Sequence, residues 1–302
     1  MNQAVPTKFQ VQTRLKKIMT PNDKLTRTVF NLPENEFFGM IFDGADNYVT
    51  ENPKSRKSKV KTKFWLENVG TCELSEPLNE FDRAVFDVCV SAYQQGFDGI
   101  TDKTIYRAIT GGKEHNAKFY PASKSAVLAS VRRLMSILLT VDFSQACAAM
   151  KMYVGAGKKL VATILPCKYI DGVEVNGQPN CAVICFQDES PLLTIARVKR
   201  QLLTYDVGLL DVPSQNNTPL VIQIKNWLVR RVEEIKAHEM TPTITFKDVF
   251  EKNQLVDANN GKKRDVRNLI RDVLTKLQNQ GEIRAFEFEK VDGVYRAIKF
   301  QY

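Results

Sequence analysis

Two stretches of this chain gather cations densely enough to hold a polyanion. KSRKSKVKTK (54–63) puts six basic residues into ten positions with no acid: Lys54, Arg56, Lys57, Lys59, Lys61 and Lys63. KKRDVRNLIR (262–271) supplies Lys262, Lys263, Arg264, Arg267 and Arg271, with Asn268 among them. Arginine bonds guanine bidentately and asparagine bonds adenine the same way, each such pair discriminating bases by about 1–3 kcal/mol. Taken singly, such residues also occur on any solvated loop or helical face. Clustered at a helix start, where the dipole disfavours cations unless an anion is near, they point to a phosphate backbone.

Enzyme chemistry finds no comparable footing. GAGKK (155–159) superficially resembles a phosphate loop, but G-x-x-x-x-G-K-[ST] requires Gly at 152 and Ser or Thr at 159, where the chain has Met152 and Lys159. Nicking by a two-histidine metal site requires His-hydrophobe-His, and the only histidines are the widely separated His115 and His238. Glu233 and Glu234 stand among Arg230, Arg231 and Lys236 at the spacing of helical ion pairs. The six cysteines, Cys72, Cys89, Cys147, Cys167, Cys181 and Cys185, form no CxxC pair and read as small buried hydrophobes. We expect a non-enzymatic protein with no catalytic residue, no metal and no cofactor.

Composition agrees with a folded, basic protein. Hydrophobic residues make up 43% and charged residues 25%, and 43 Lys and Arg against 34 Asp and Glu give a net charge of +9. That balance favours a polyanionic partner. No window is long and apolar enough to span a bilayer and the N-terminus lacks the apolar run of a signal peptide, so a cytoplasmic location and no membrane partner are expected.

The elements that would position the cations follow from periodicity. FFGMIF (37–42) and FWLENV (64–69) read as strands flanking the basic arm. Leu78, Phe81, Val85, Val88, Cys89 and Ala92 recur at helical spacing, with Asn79 as a start and Gly96 as a stop. Thr101 caps a second helix that ends at Gly111-Gly112. SKSAVLASVRRLMSILL (123–139) forms a third, with Val127, Val131, Leu134 and Leu138 on its apolar face and Ser123, Lys124, Ser125, Arg132 and Arg133 available to DNA. KLVATILPCKYI (159–170), DGVEVNGQPN (171–180) and CAVICF (181–186) together read as a β-hairpin. Three helices and a hairpin make a winged helix-turn-helix.

The plan then repeats. A long helix (217–238), a short one (244–253), a third (262–281) and a hairpin turned at Asp292-Gly293 follow one another. The echo reaches individual residues. Ile100, Thr101, Lys103, Ile105 and Tyr106 match Ile244, Thr245, Lys247, Val249 and Phe250, while Val127, Val131, Arg132 and Leu134 match Val266, Ile270, Arg271 and Val273. The predicted fold is α+β, with two winged-helix domains related by internal duplication. The divisions are a β-containing N-terminal extension with a basic arm (1–63), a first domain (64–190), a linker opening with a short helix (191–216) and a second domain (217–302).

Two winged helices in one basic chain resemble the replication initiator proteins of plasmids. LNEFDRAVFDVCVSAYQQGFDGITDKTIYRAITGG (78–112) looks like the first winged-helix motif of such initiators and of similar proteins on conjugative elements of Gram-positive bacteria. The detailed likeness is confined to 78–112 and 217–236. It implies binding of double-stranded DNA at origin repeats and recruitment of host replication proteins. It further implies base reading by the second module, at Arg264, Arg267, Asn268 and Arg271, and a contribution of the first to a homodimer and to backbone contacts. The third helices would then enter successive major grooves on one face of the duplex. The same modules would also serve a transcriptional or conjugation regulator, or a protein whose wings bind a non-DNA partner.

Overall fold

The computed structural model describes residues 17–20, 27–31, 62–66, 70–74, 78–111, 119–142, 159–198, 202–212 and 216–302. Short strands come first: β1 (Ile18–Met19), β2 (Arg27–Asn31), β3 (Thr62–Leu66) and β4 (Gly70–Leu74). Helix α1 (Glu80–Gln94) opens on a capping box, in which Asp82 N donates to Asn79 Oδ1 at 3.0 Å and Asn79 N donates to Asp82 Oδ2 at 3.2 Å. This helix runs through the middle of the first core, where Val85, Val88, Cys89 and Ala92 are buried.

β5 (Gly99–Thr101) leads into α2 (Asp102–Thr110), capped by the Thr101 hydroxyl, which accepts from Thr104 N at 3.2 Å. The helix stops at Gly111 in the left-handed region, φ 76°. A Cβ there would lie 2.2 Å from Asp211 N, so close approach to a distant segment demands glycine as strongly as the φ does. α3 (Pro121–Ser136) follows, with Pro121 at its first position. Its Val127, Val131 and Leu134 close the core over α1 and α2.

After α3 come β6 (Leu138–Asp142), β7 (Lys159–Thr163), β8 (Cys167–Val175) and β9 (Gln178–Phe186). They belong to two sheets. One has the order β1-β5-β9-β8, with β1 parallel to β5, and the other β3-β4-β6-β7. Two expectations are corrected here. The third helix ends at Ser136 rather than 139, and Leu138, expected on its buried face, is 48% exposed in a strand. Ile137 turns extended at ψ 121°, and a short apolar run satisfies helix and strand periods equally well. The first half of the expected hairpin, 159–163, pairs with β6 instead, and the hairpin proper is β8–β9, turned at Asn176 and Gly177 with φ of 49° and 75°.

The connection to the second half is built from α4 (Pro191–Val198), β10 (Leu202–Asp206) and a 3-10 turn (Val207–Leu210). β10 pairs antiparallel with β2, which ties the N-terminal extension to the linker. α5 (Pro219–Ala237) is capped by Thr218. β11 (Thr243–Thr245) then leads into α6 (Phe246–Lys252), again capped by a threonine, Thr245, whose hydroxyl accepts from Asp248 N at 3.0 Å. Asn259 caps α7 (Asn260–Asn279), accepting from Lys262 N at 2.8 Å. β12 (Ala285–Val291) and β13 (Val294–Gln301) close through Asp292 and Gly293, both at positive φ (51° and 74°), as an Asp-Gly hairpin turn requires. The sheet order is β11-β13-β12. Val266, Leu269, Ile270, Val273 and Leu277 of α7 are buried in the second core as the periodicity predicts.

A polar seam joins the two halves through α1, α2 and α5. Arg230 of α5 is buried and pairs with Glu80, with Asp87 at 3.6 Å and with Glu234 at 3.9 Å. Beside it, Lys225 Nζ donates to the carbonyls of Thr110 (3.1 Å) and Leu210 (2.7 Å), and Asn226 Nδ2 donates to Ile109 O (2.9 Å). These donors satisfy the last carbonyls of α2, groups a helix cannot satisfy itself. Burial lowers the Lys225 ammonium to about 8 and raises the Asp87 carboxyl to about 7, the latter opposed by the neighbouring Arg230 and Arg83.

Candidate nucleic-acid interface

Helix α7 presents its cations along the first turns, on the side away from the core. Lys262, Arg264, Asn268 and Arg271 are exposed, and Lys263 and Arg267 are half-buried. The hairpin behind them supplies a row of rings. The Arg267 guanidinium carbon lies 4.9 Å from the Tyr295 ring centroid, that of Arg271 lies 5.1 Å from Phe288, and Lys263 Nζ lies 5.4 Å from Phe250. Such cation–π contacts contribute about 0.5–1 kcal/mol at exposed sites and fix a direction for a side chain that would otherwise wander.

Other partners are few. Lys263 Nζ donates to Val256 O at 2.6 Å, Arg271 Nη1 donates to Asn268 Oδ1 at 3.1 Å, and Arg264 reaches Asp265 only at 4.0 Å. Among the described residues, neither Arg267 nor Arg271 has a carboxylate within ion-pair distance. Lys290 Nζ sits 4.4 Å from the Tyr295 ring centroid, and its hydrogen bond draws the Tyr295 phenol below its ordinary range. The result is a cationic face of Arg267, Arg271 and Lys290 on an aromatic floor.

Sequence reading found the helix side of this face and missed the hairpin side. Lys290 and Tyr295 face each other only because a register shift falls between Glu289 and Lys290. The Asp292-Gly293 turn fixes where the hairpin reverses, but nothing local in the sequence announces that shift.

The matching residues of α3 are occupied differently. Lys124 Nζ donates to Asp171 Oδ1 (2.7 Å) and Asn180 O (2.9 Å), bridging the helix to its own hairpin and pulling the Asp171 carboxyl below its usual range. Arg133 forms a two-pronged pair with the buried Asp82, Nη2 to Oδ1 at 2.6 Å and Nε to Oδ2 at 3.2 Å, while Ser130 Oγ adds a 2.7 Å bond to the same carboxylate. Ser123 is half-buried and Ser125 exposed. Arg132 is exposed, its Nε donating to Tyr169 Oη at 2.7 Å with the guanidinium 5.3 Å from that ring's centroid. Of the basic arm, Lys63 lies in β3, and Lys54, Arg56, Lys57, Lys59 and Lys61 fall outside the described residues, as does the strand expected at 37–42.

Tyr106 is core, 5% exposed, whereas Phe250 is half-buried and carries Lys263 on its ring. Cys89, Cys167, Cys181 and Cys185 are buried free thiols, their pKa values raised chiefly by that burial. Among the described residues, no His, Cys, Asp and Glu group is arranged to hold a metal, and no helix is long and apolar enough to cross a membrane.

Against known proteins, the chain matches no family model and no curated sequence. It is similar in structure to domains 2 and 3 of RctB. Two crystal structures of those domains, one of selenomethionine derivatives, align at 12% identity over 87% of this chain, with TM-scores of 0.41 and 0.43. The alignments cover 98% and 97% of the RctB chains.

Proposed function

We propose that this chain is a non-enzymatic duplex-DNA-binding protein. It consists of two winged-helix modules related by duplication and acts at repeated sites of a replication origin. The observation that carries the DNA reading is the outer face of α7, where Arg267 and Arg271 project from the first half and middle of the helix without carboxylate partners among the described residues. Desolvated phosphates would neutralise that face, and guanine edges would match the guanidinium forks.

The duplication is supported by topology. Each half follows helix, short strand, threonine-capped helix, long helix and hairpin, and in each the short strand pairs with the second hairpin strand. The origin reading is supported by the sequence likeness of 78–112 and 217–236 to plasmid initiators. On the same reading the protein recruits host replication proteins, acts in the cytoplasm and dimerises through its first module.

The test is duplex binding by the purified chain to DNA flanking its own gene, measured across a salt series. The expected result is binding at directly repeated sites that weakens steeply with salt. Absence of salt-sensitive binding would sink the proposal. Binding to a single promoter palindrome would reassign the same modules to transcription.

A further inference from the structure

The two hairpins carry an arginine in the same way, in a place the strand registers make equivalent. In the first sheet Ile100 pairs with Ile184, and Ile184 pairs with Tyr169. In the second, Ile244 pairs with Ile298, and Ile298 pairs with Phe288. Tyr169 and Phe288 therefore end the same cross-sheet row. The arginines above them are also equivalent, since Arg132 follows the buried Val131 and Arg271 follows the buried Ile270, residues that match between the two copies. Arg132 lies over Tyr169 at 5.3 Å and Arg271 over Phe288 at 5.1 Å. Among the described residues, neither arginine has a carboxylate within ion-pair distance.

A ring under a guanidinium does two things. Its negative face holds the cation, and its width confines the side chain to one plane, leaving the fork of donors aimed along the surface. Ordering a free arginine at an interface costs rotamer entropy, and an arginine already held by a ring has lost part of that freedom before binding. α3 commits Lys124 and Arg133 to internal bonds yet leaves Arg132 exposed on its ring, which separates the structural cations of the first module from this one.

We infer that Arg132 on Tyr169 and Arg271 on Phe288 are paired base-reading arginines of the two modules, with the two hairpin rings as positioning residues. This rests on the duplex-DNA reading above. It adds that both modules read sequence, each through one guanidinium at the same place. Tyr169 further accepts a hydrogen bond from Arg132 Nε, which Phe288 cannot do for Arg271.

The test uses the full chain and a duplex library with a randomised centre, from which wild type selects a preferred sequence. Wild type selecting no duplex overturns the DNA reading itself, before any variant is made. Given a selected duplex, Arg132→Lys and Arg271→Lys keep the charge on an exposed helix face and remove the planar fork. Each is expected to lose base preference at its own position while keeping the salt dependence. Tyr169→Leu and Phe288→Leu keep apolar bulk and remove the ring; each is expected to relax preference at the same position as its arginine, weakening binding about two- to fivefold. Tyr169→Phe separates ring from hydroxyl and is expected to retain the preference. Base preference undisturbed in both Leu variants, or in Arg132→Lys, would overturn the inference.

Discussion

Helices α3 and α7 each follow a short threonine-capped helix and precede a β-hairpin, α3 with two further strands between, and they use their cations differently. α3 turns Lys124 toward the hairpin at Asp171 and Asn180, and Arg133 toward Asp82 at the cap of α1. α7 leaves Arg264, Arg267 and Arg271 on its outer side, two of them resting on rings. The difference teaches that cations on corresponding helices need not share a role. What decides is whether a carboxylate lies within reach, and Asp82 and Asp171 lie within reach only in the first unit.

The comparison breaks most visibly if α7 can lose its arginines without consequence. Replacing Arg264, Arg267 and Arg271 together by Ala should weaken duplex binding about a thousandfold, or ~4 kcal/mol, as three contacts of about 1–3 kcal/mol each imply when they are not additive. Fluorescence anisotropy on the selected duplex measures it, and unchanged affinity would remove the second module from the DNA account.

A second test asks whether the units communicate through their shared seam. Burial raises Asp87 to about 7, despite Arg230 and Arg83 and alongside Glu80 and Glu234. An acid whose folded pKa lies above its unfolded value binds more protons when folded, so stability falls as pH rises from about 4 through about 7. The shift from 3.8 to about 7 corresponds to at most ~4 kcal/mol. Melting temperatures should therefore fall between about pH 4 and pH 7, and Asp87→Asn, neutral throughout, should flatten that slope. An equal slope in the variant would contradict the assignment.

Arg133→Met asks whether α3 spends its cation on stability. The Asp82 carboxylate is fully buried and the Arg133 side chain 36% exposed, so losing the pair should cost about 2–3 kcal/mol, less than a fully buried pair would. Denaturant melts would show it, while duplex affinity of the folded variant stays near wild type. Lys124→Met should be the milder change, about 1 kcal/mol, because Asp171 is about half exposed and the buried Asp102 lies only at 3.9 Å. A marked loss of DNA affinity in either variant would erase the contrast between the two helices.

Local chemistry made much of this fold legible beforehand. Asn79, Thr101 and the Asp292-Gly293 turn mark element ends by bonds that span only a few residues, and the structure uses them as expected. The apolar face of α7 was equally readable, since Val266, Leu269 and Ile270 recur at helical spacing. What escaped depends on pairings far apart in the chain. Ile137-Leu138-Leu139 reads as more helix until β4 and β7 are present to receive β6. That Arg133 pairs with Asp82 becomes visible only when the fold brings α1 beneath α3. The rings under Arg132, Arg267 and Arg271 come from hairpins whose register shifts no local pattern encodes.

The seam of Lys225, Asn226 and Arg230 has one more consequence. Lys225 and Asn226 bond α2 and the linker directly, and Gly111 lets the linker backbone approach closer than any side chain would allow. If both units read DNA as proposed, a clamp of this kind measures distance. Under the proposed function, the protein is a ruler as well as a reader: inserting about half a helical turn, ~5 base pairs, between the two half-sites would rotate one to the far side of the duplex.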